Sequence, residues 1–379
     1  MSHPHTVRVC HLTSVHRADD PRILSKECGT LAAAGFDVRL VTPGPVVSTP
    51  PGVTQVAVAR HAGRLARFVR TIPAVYRAAR AEDARIYHLH DPELLGVGVL
   101  LRSQGRAVVY DAHEDLGNQV RHKKWIPVPI RRPIGTVAAA VERSLANRLS
   151  AVVAATPAIA SRFRRPRTVL VRNLARIDEF PLVTSAAPQA QRDLLIAYVG
   201  SVSEPRGARE MIRALDILGA TTDVRLAIAG EFSSSSLRDE LRASAGWSRV
   251  DALGWLDRPA VADLLNRARI GLVCLHPTPS YLESYPVKLF EYMASGLPVV
   301  ASDFPLWRQI VESAGCGILV DPLDPAAIAS AIENLLSNPA SAADMGRRGR
   351  AAVERHWNWE PEGDRLVTLY RNLLAGRGP

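Results

Sequence analysis

Between Ile270 and Ala301 the chain spells out a complete strand–helix–strand unit. Ile270 to Leu275 is an apolar run of strand length. A loop with Pro277 and Pro279 follows, then a helix over Pro286 to Ser295 and another apolar run from Pro298 to Ala301. Pro286 suits the first helical position, where a missing N–H costs nothing, and Gly296 suits the stop. The free amides of that first turn, around Val287 and Lys288, therefore face a loop at the carboxyl end of a strand. In open α/β sheets ligands bind there, and a helix N-terminus in that place attracts phosphate. Glu283 and Glu291 flank this anion site with seven residues between them. Either could be an ordinary solvated charge, since carboxylates are common on helix surfaces. Either could equally accept hydrogen bonds from sugar hydroxyls, and an anion cradle between two hydroxyl binders is what a nucleotide-sugar needs.

The stretch Glu283-Ser284-Tyr285-Pro286-Val287-Lys288-Leu289-Phe290-Glu291 resembles the E-x7-E signature of the retaining glycosyltransferases of family four. Pro286 to Val300 is close to that family's usual wording throughout. The resemblance implies the GT-B fold: two Rossmann-like, doubly wound α/β domains facing each other across a cleft. It is strong in the second half of the chain, looser before residue 85, and extends to nearly all of it.

Taken in order, the chain supports the same architecture. Val7 to Leu12 and Asp37 to Val41 read as strands around a helix from Arg22 to Ala34, which ends at Gly35. The loop between, with Ser14-Val15-His16-Arg17, has no glycine-rich phosphate fingerprint. Many family-four enzymes carry a Gly-Gly pair there, so this chain departs from the pattern. A helix runs from Leu65 to Arg80, with Pro73 as a point of bending. Arg85 to Leu89 is a strand followed by His90-Asp91-Pro92-Glu93, and Ala107 to Tyr110 a strand followed by Asp111-Ala112-His113-Glu114-Asp115. These polar clusters resemble segments of family members that build bacterial surface polysaccharides. His113 matches the family position that meets the donor sugar, and His16, Arg17, His90, Asp91 and Glu114 fall on the acceptor side. The close spacing from Asp111 to Asp115 does not give the i, i+4 helical face of zinc proteases, and the region has no Asp-x-Asp. No metal or other cofactor is expected.

After a helix from Ile130 to Asn147 come short strands, Ala151 to Ala154 and Thr168 to Val171. Asn173 to Phe180 resembles the segment that leaves the first GT-B domain. The reading is thus a first domain over 1–184, a linker near 181–192, a second domain over 193–360, and a final helical tail, 361–379, crossing back to the first. The second domain opens on the strand Leu194 to Val199 and the loop Gly200-Ser201-Val202-Ser203-Glu204-Pro205-Arg206-Gly207. The family writes an Arg after that first Gly and a Lys before the last, the two cations that hold the departing diphosphate. Here Ser201 replaces the Arg, Arg206 stands for the Lys, and Lys288 is the candidate to supply the missing charge. Val224 to Ala229 is the next strand, with Gly230 at its exit on the donor side, and Val250 to Asp257, with Gly254 and Trp255, resembles the family segment whose backbone meets the nucleotide base. Cys316 to Val320 and a helix from Pro325 to Leu336 continue the α/β pattern.

Composition bounds the rest. The 379 residues suffice for two cores, and 47% hydrophobic with 22% charged residues describes a globular protein. No apolar run approaches the ~18 residues of a membrane span. The N-terminus enters a strand with no signal-like apolar region, and the four cysteines have no metal or redox spacing, so a cytoplasmic setting is expected. The formal charge of +10 is uneven: Arg121, Lys123, Lys124, Arg131 and Arg132 are interleaved with Trp125, Ile126 and Ile130 and with no acid. That stretch is either a solvated basic face or a contact for the anionic inner face of the cell membrane. No RNA- or DNA-binding motif accompanies the charge, so nucleic acid is not an expected partner.

The expected activity is transfer of a sugar from a nucleoside-diphosphate sugar, UDP or GDP, to an acceptor hydroxyl with retention of configuration. In that scheme Glu291 holds the ribose, Glu283 orients the donor sugar, and Arg206 and Lys288 stabilise the departing diphosphate. Gly200, Ser201, Gly230, Gly254, Trp255, Ser284, Tyr285, Pro286, Val287 and Leu289 complete the donor-binding set. The acceptor is a lipid-linked saccharide or a small molecule. A GT-B sugar-nucleotide epimerase, which needs no acceptor, is the competing reading.

Overall fold

The computed structural model describes residues 6–121, 126–182, 191–219 and 221–378. The chain divides into two compact units, Met1–Asn173 together with Trp359–Pro379, and Leu174–Asn358.

The first unit is built on seven parallel strands: β1 (Arg8–Leu12), β2 (Asp37–Pro43), β3 (Val53–Val58), β4 (Ile86–Leu89), β5 (Ala107–Ala112), β6 (Ala151–Ala154) and β7 (Thr168–Leu170). Their order is β3-β2-β1-β4-β5-β6-β7. The direction of winding reverses between β1 and β4, which pair in register from Val9 with Ile86 to Leu12 with Leu89. A crevice outside the carboxyl ends at such a switch point is the binding position of doubly wound sheets. Both faces of the sheet are covered, so β4 is buried at every residue. Asp20 starts the helix after β1, its carboxylate accepting from the Arg22 and Ile23 amides, with Pro21 in the first turn. The helix Glu360–Leu374 lies on the same face, where Leu366, Leu369 and Tyr370 join Ile23, Leu31 and Ile86 in one core. Each such large apolar side chain stabilises the unit by roughly 1.5–3 kcal/mol.

The second unit holds six parallel strands: β8 (Leu195–Val199), β9 (Arg225–Ala229), β10 (Val250–Gly254), β11 (Ile270–Val273), β12 (Val299–Ser302) and β13 (Gly317–Val320). The order β10-β9-β8-β11-β12-β13 places its switch point between β8 and β11. The helix Val287–Ala294 returns the chain from β11 to β12, with Leu289, Phe290, Tyr292 and Met293 fully buried. Gly296 follows it at φ 68°, a left-handed stop.

Sequence periodicity missed β3 and the helix Pro339–Arg355. Several boundaries shift by one or two residues, and two of the shifts bear on the site. Pro286 precedes the helix by one residue and does not open it. The strand expected to end at Tyr110 continues to Ala112, pairing Asp111 with Val153 of β6, so Asp111 sits in the sheet and not in the following loop. A buried carboxylate is tolerated there because cationic and imidazole partners surround it. Pro73 lies in the first turn of Ile72–Ala81, directly after the differently wound turn Arg67–Thr71.

Candidate functional site

Two clusters form at the two switch points, one in each unit. In the second unit the chain leaves β8 through Gly200 at φ 120°. A Cβ built there would lie 3.4 Å from Lys288 Nζ and 3.5 Å from an Arg206 guanidinium nitrogen. Two cations from separate elements thus converge on one backbone position that has no side chain to fill it. Arg206 comes from the turn Glu204–Arg206, its Nε 3.4 Å from the Tyr281 hydroxyl. Gly207, at φ 73°, reverses the chain at a point where a Cβ would collide with the Cys274 carbonyl oxygen. Lys288 comes from the first turn of Val287–Ala294, and its ammonium lies 3.6 Å from the centre of the Tyr198 ring. Lys288 Nζ is buried and has no hydrogen-bond partner among the described residues. Burial, then the neighbouring Arg206 charge, push its pKa well below the ordinary lysine value, while Glu291 pulls it back. An incoming anion would relieve both effects.

Glu291 is only 5% exposed, which removes the reading of a solvated helical charge. The Arg258 guanidinium bridges it, at 2.8 Å, to Glu179, at 2.6 Å, and lies over the Phe180 ring at 5.1 Å. The Glu291 carboxylate is therefore held in one orientation. Glu283 is exposed at the end of Pro279–Leu282. The loop between the two is fixed by Ser284, whose hydroxyl donates to the Tyr281 carbonyl (3.2 Å) and whose own carbonyl accepts from Trp307 Nε1 (2.9 Å). Tyr285 packs against Phe290 and Trp357. Pro286 and Val287 form the helix entry. Leu289 is committed to the fold: its side chain is in the core and its amide donates to the Pro286 carbonyl at 3.0 Å. Ser201 is exposed, with its carbonyl accepting from the Tyr198 hydroxyl at 2.8 Å. Gly230 lies against the Gly200 carbonyl, which a Cβ would overlap. Gly254 and the exposed Trp255 stand at the end of β10, the edge strand, two strands away from β8.

In the first unit His16, His90, Asp91, His113 and Glu114 line a cavity of about 670 Å³ whose apolar wall includes Val15, Phe68, Leu95, Leu116 and Val141. Arg17 does not line it; that side chain is exposed and paired with Asp19 at 2.9 Å. The Asp91 carboxylate accepts from the Ser14 amide (2.6 Å), Thr13 Oγ1 (2.7 Å) and His16 Nδ1 (2.8 Å). Burial opposes the charge on Asp91, but these partners hold its pKa far below the carboxylate range. For His16 burial again opposes the charged form, and Asp91 overcomes it, raising the imidazole to about 9. Asp111 is gripped by Arg22 Nη2 and Nε at 2.6 and 2.9 Å and accepts from His113 Nδ1 at 3.1 Å. Asp111 raises the His113 pKa against the effect of burial. With Nδ1 spent on Asp111, Nε2 is the His113 nitrogen left for a ligand. Arg22, Tyr198, Tyr281, Arg258 and Glu179 were invisible to sequence reasoning, because none stands in a spaced motif and each acts through a distant partner.

The His16–Asp91 pair gives a pH dependence of stability. A histidine raised to about 9 contributes stability that is complete below the unfolded imidazole pKa of ~6.5 and is lost as pH rises through 9. Between pH 6.5 and 9.5 the wild type is expected to lose on the order of 2–3 kcal/mol from this pair. His16→Gln should flatten that slope in urea melts, and an unchanged slope would show that the pair does not set it.

The basic stretch is described only in part: Lys123, Lys124 and Trp125 lie outside the described residues. Arg132, Val128, Ile130, Val137 and Val141 are exposed along Val128–Ala146. Among the described residues no helix is long and apolar enough to cross a membrane.

Known proteins share both halves of this arrangement. The family model described as "Glycosyl transferases group 1" matches residues 185–352, and that described as "Glycosyl transferase 4-like domain" matches 24–176. A glycogen synthase of Mycobacterium tuberculosis is 25% identical over 68% of this chain, a match that spans 61% of the synthase. A phosphatidyl-myo-inositol mannosyltransferase of Mycobacterium leprae is 26% identical over 91% of this chain and 90% of its own length. Among solved structures, a sucrose-phosphate synthase from Thermosynechococcus elongatus superposes with a TM-score of 0.75 at 21% identity, covering 98% of this chain and 100% of that one. The Anabaena protein HepE, solved with UDP-glucose, gives 0.72 at 15% identity over 96% of this chain and 99% of its own. With a doubly wound sheet in each unit and a glycosyl transferase model matched on each, the chain has the two-domain GT-B fold and is similar to glycosyltransferases of family four.

Proposed function

We propose that the chain moves a hexosyl or N-acetylhexosaminyl group from a UDP- or GDP-sugar to an acceptor hydroxyl, with retention of anomeric configuration, in the assembly of a surface polysaccharide. The observation that carries this reading is the unpartnered Lys288 ammonium beside Arg206 at Gly200. Two cations facing an empty backbone position suit the diphosphate of a sugar nucleotide. Arg206 and Lys288 stabilise the charge that grows on the diphosphate as the bond from the anomeric carbon to its oxygen breaks. The acceptor oxygen then bonds that carbon on the same face, and its proton passes to the departing phosphate oxygen. The oxocarbenium-like centre needs no covalent partner in this scheme. Glu291, held by Arg258, takes the ribose hydroxyls and Glu283 orients hydroxyls of the sugar, while in the first unit His113 Nε2 is the nitrogen offered to substrate. The charge is supplied by protein cations, so the reading calls for no metal. The cavity lined by His16, Asp91 and apolar side chains takes the acceptor.

HepE's complex with UDP-glucose supports the donor class, and the M. leprae relative, named for phosphatidyl-myo-inositol, supports a lipid-linked acceptor. Arg121, Arg131 and Arg132 would meet the anionic surface that carries such a lipid.

Thermal unfolding with UDP, GDP, ADP and dTDP tests the reading. A ligand at 100 times its Kd adds ~2.7 kcal/mol, a clear rise in Tm. One diphosphate should stabilise the wild type and fail to stabilise Glu291→Ala. Equal responses would place the ribose elsewhere. The same preparation should pellet with phosphatidylglycerol vesicles at low salt and not with phosphatidylcholine; equal pelleting would remove the membrane from the reading.

A further inference from the structure

Behind the cavity of the first unit, and reaching it at His90, lies a string of buried imidazoles. His11 of β1, His88 of β4 and His90, the residue after that strand, are all 0% exposed. They share one face of the sheet with Tyr370 of Glu360–Leu374. Consecutive contacts run His88 Nδ1 to Tyr370 Oη at 2.8 Å, Tyr370 Oη to His11 Nε2 at 3.1 Å, His11 Nδ1 to His90 Nε2 at 2.9 Å, and His90 Nδ1 to Asp111 at 3.3 Å. Asp111 is also the carboxylate that orients His113.

The protons in this string can be placed by elimination. Burial lowers the pKa of all three histidines, so each is neutral with one N–H donor and one acceptor nitrogen. Asp111, clamped by Arg22, is a carboxylate and can only accept. His90 must therefore donate from Nδ1, which leaves its Nε2 to accept. His11 must then donate from Nδ1 and accept at Nε2. That acceptor needs the Tyr370 hydroxyl proton, and the phenol oxygen accepts in turn from His88 Nδ1. The reverse polarity would set the lone pair of His90 Nδ1 against the carboxylate. His11, Glu27, His88 and His90 lie close enough together to suggest a cation cage. The rings of His11 and His90, and of His88 and His90, are stacked at 21°, and the ring nitrogens are spent on hydrogen bonds instead: His11 Nδ1 on His90 Nε2 and His88 Nδ1 on the Tyr370 hydroxyl.

We infer that Tyr370, His11 and His90 are positioning residues, a one-way chain of donors ending on Asp111 that holds this carboxylate as the fixed acceptor for His113. Successive hydrogen bonds polarise one another, so the chain reaches from the C-terminal helix to the nitrogen that His113 presents to substrate. The link to catalysis rests on the transfer reading above; the proton arrangement does not. His113 is also faced by Arg22 from the helix after β1, by His16 from the loop after β1, at a ring distance of 5.1 Å, and by His90 from just past β4.

Long-range 1H–15N correlation on the full chain labelled with 15N-histidine reads the tautomers directly. His11 and His90 should both be neutral Nδ1–H forms from pH 6 to 8. An Nε2–H or charged form of either overturns the chain, as does uptake of one equivalent of added zinc with loss of those N–H signals. Tyr370→Phe keeps the ring and removes only the hydroxyl. It should lower kcat about threefold to tenfold, leave the donor KM unchanged and shift the His113 titration and the pH–rate profile together. Wild-type kcat and pH profile in a folded Tyr370→Phe would overturn the positioning role. If the tautomers are as stated while no nucleoside diphosphate binds, the transfer reading fails and the chain stands.

Discussion

Lys288→Met is expected to cut kcat by about 10²–10³-fold, the usual cost of removing one preorganised charge from a developing anion. The same variant should be more stable than the wild type in the absence of ligand. Its ammonium is buried without a hydrogen-bond partner, a placement that costs free energy. Methionine fills similar volume against Tyr198 without that penalty, so a gain on the order of 1–2 kcal/mol is expected. Opposite signs for stability and activity separate a ligand-directed charge from a structural one. Single-turnover transfer and urea unfolding measure the two; a Lys288→Met protein that is less stable and fully active would end the assignment. Calorimetry adds a sign. Because the free protein depresses the Lys288 pKa and a bound anion would raise it again, binding of a nucleoside diphosphate should be accompanied by proton uptake at pH values between the two.

Asp111→Asn should produce the largest loss of stability, about 3–5 kcal/mol, because it breaks a buried ion pair from one side. Asp111 is 1% exposed, and Arg22, at 5%, would keep its charge with Glu27 at 3.2 Å as the remaining partner. The Asp111 pKa lies well below the ordinary carboxylate value: burial opposes its charge, and the Arg22 and His113 contacts outweigh that. Its stabilisation is thus complete above the unfolded pKa of ~3.9 and is lost as pH falls through the lower folded value. The deficit of the variant should therefore be constant near neutrality and shrink in acid. His113 should respond as well, since its raised pKa depends on the Asp111 charge; in Asp111→Asn burial and the Arg22 and His16 charges are left to act, and the imidazole pKa falls. A deficit below 1 kcal/mol in urea at pH 7 would mean that Glu27 compensates fully.

What was legible in the sequence depended on local signals. Pro286, the apolar stripe of the following helix and Gly296 are neighbours in the chain, so the helix and its strand partners could be placed within one or two residues. β3 left little trace because Val53–Val58 mixes buried and exposed positions without clean alternation. Asp111 was placed in a loop because a carboxylate inside a strand reads as a terminus. Only the approach of Arg22, 89 residues away, makes the strand position tolerable. Lys288 was named as a replacement for the cation missing at Ser201, yet the Tyr198 ring beneath it and the bare Gly200 before it are facts of tertiary packing. Arg258 was missed for the same reason. It lies just past the Val250–Asp257 segment, and its two carboxylates, Glu179 and Glu291, are distant on either side of it in sequence.

The first unit takes its last helix from residues beyond 358, whereas the second closes at Asn358. A chain cut before residue 366 therefore keeps every residue of the second unit but lacks Leu366, Leu369 and Tyr370 of the first unit's core. Without Tyr370, His11 and His88 lose the hydroxyl that joins them. The half of the protein that begins the chain thus depends on the helix near its end, and such a cut should open the first core while leaving the second complete.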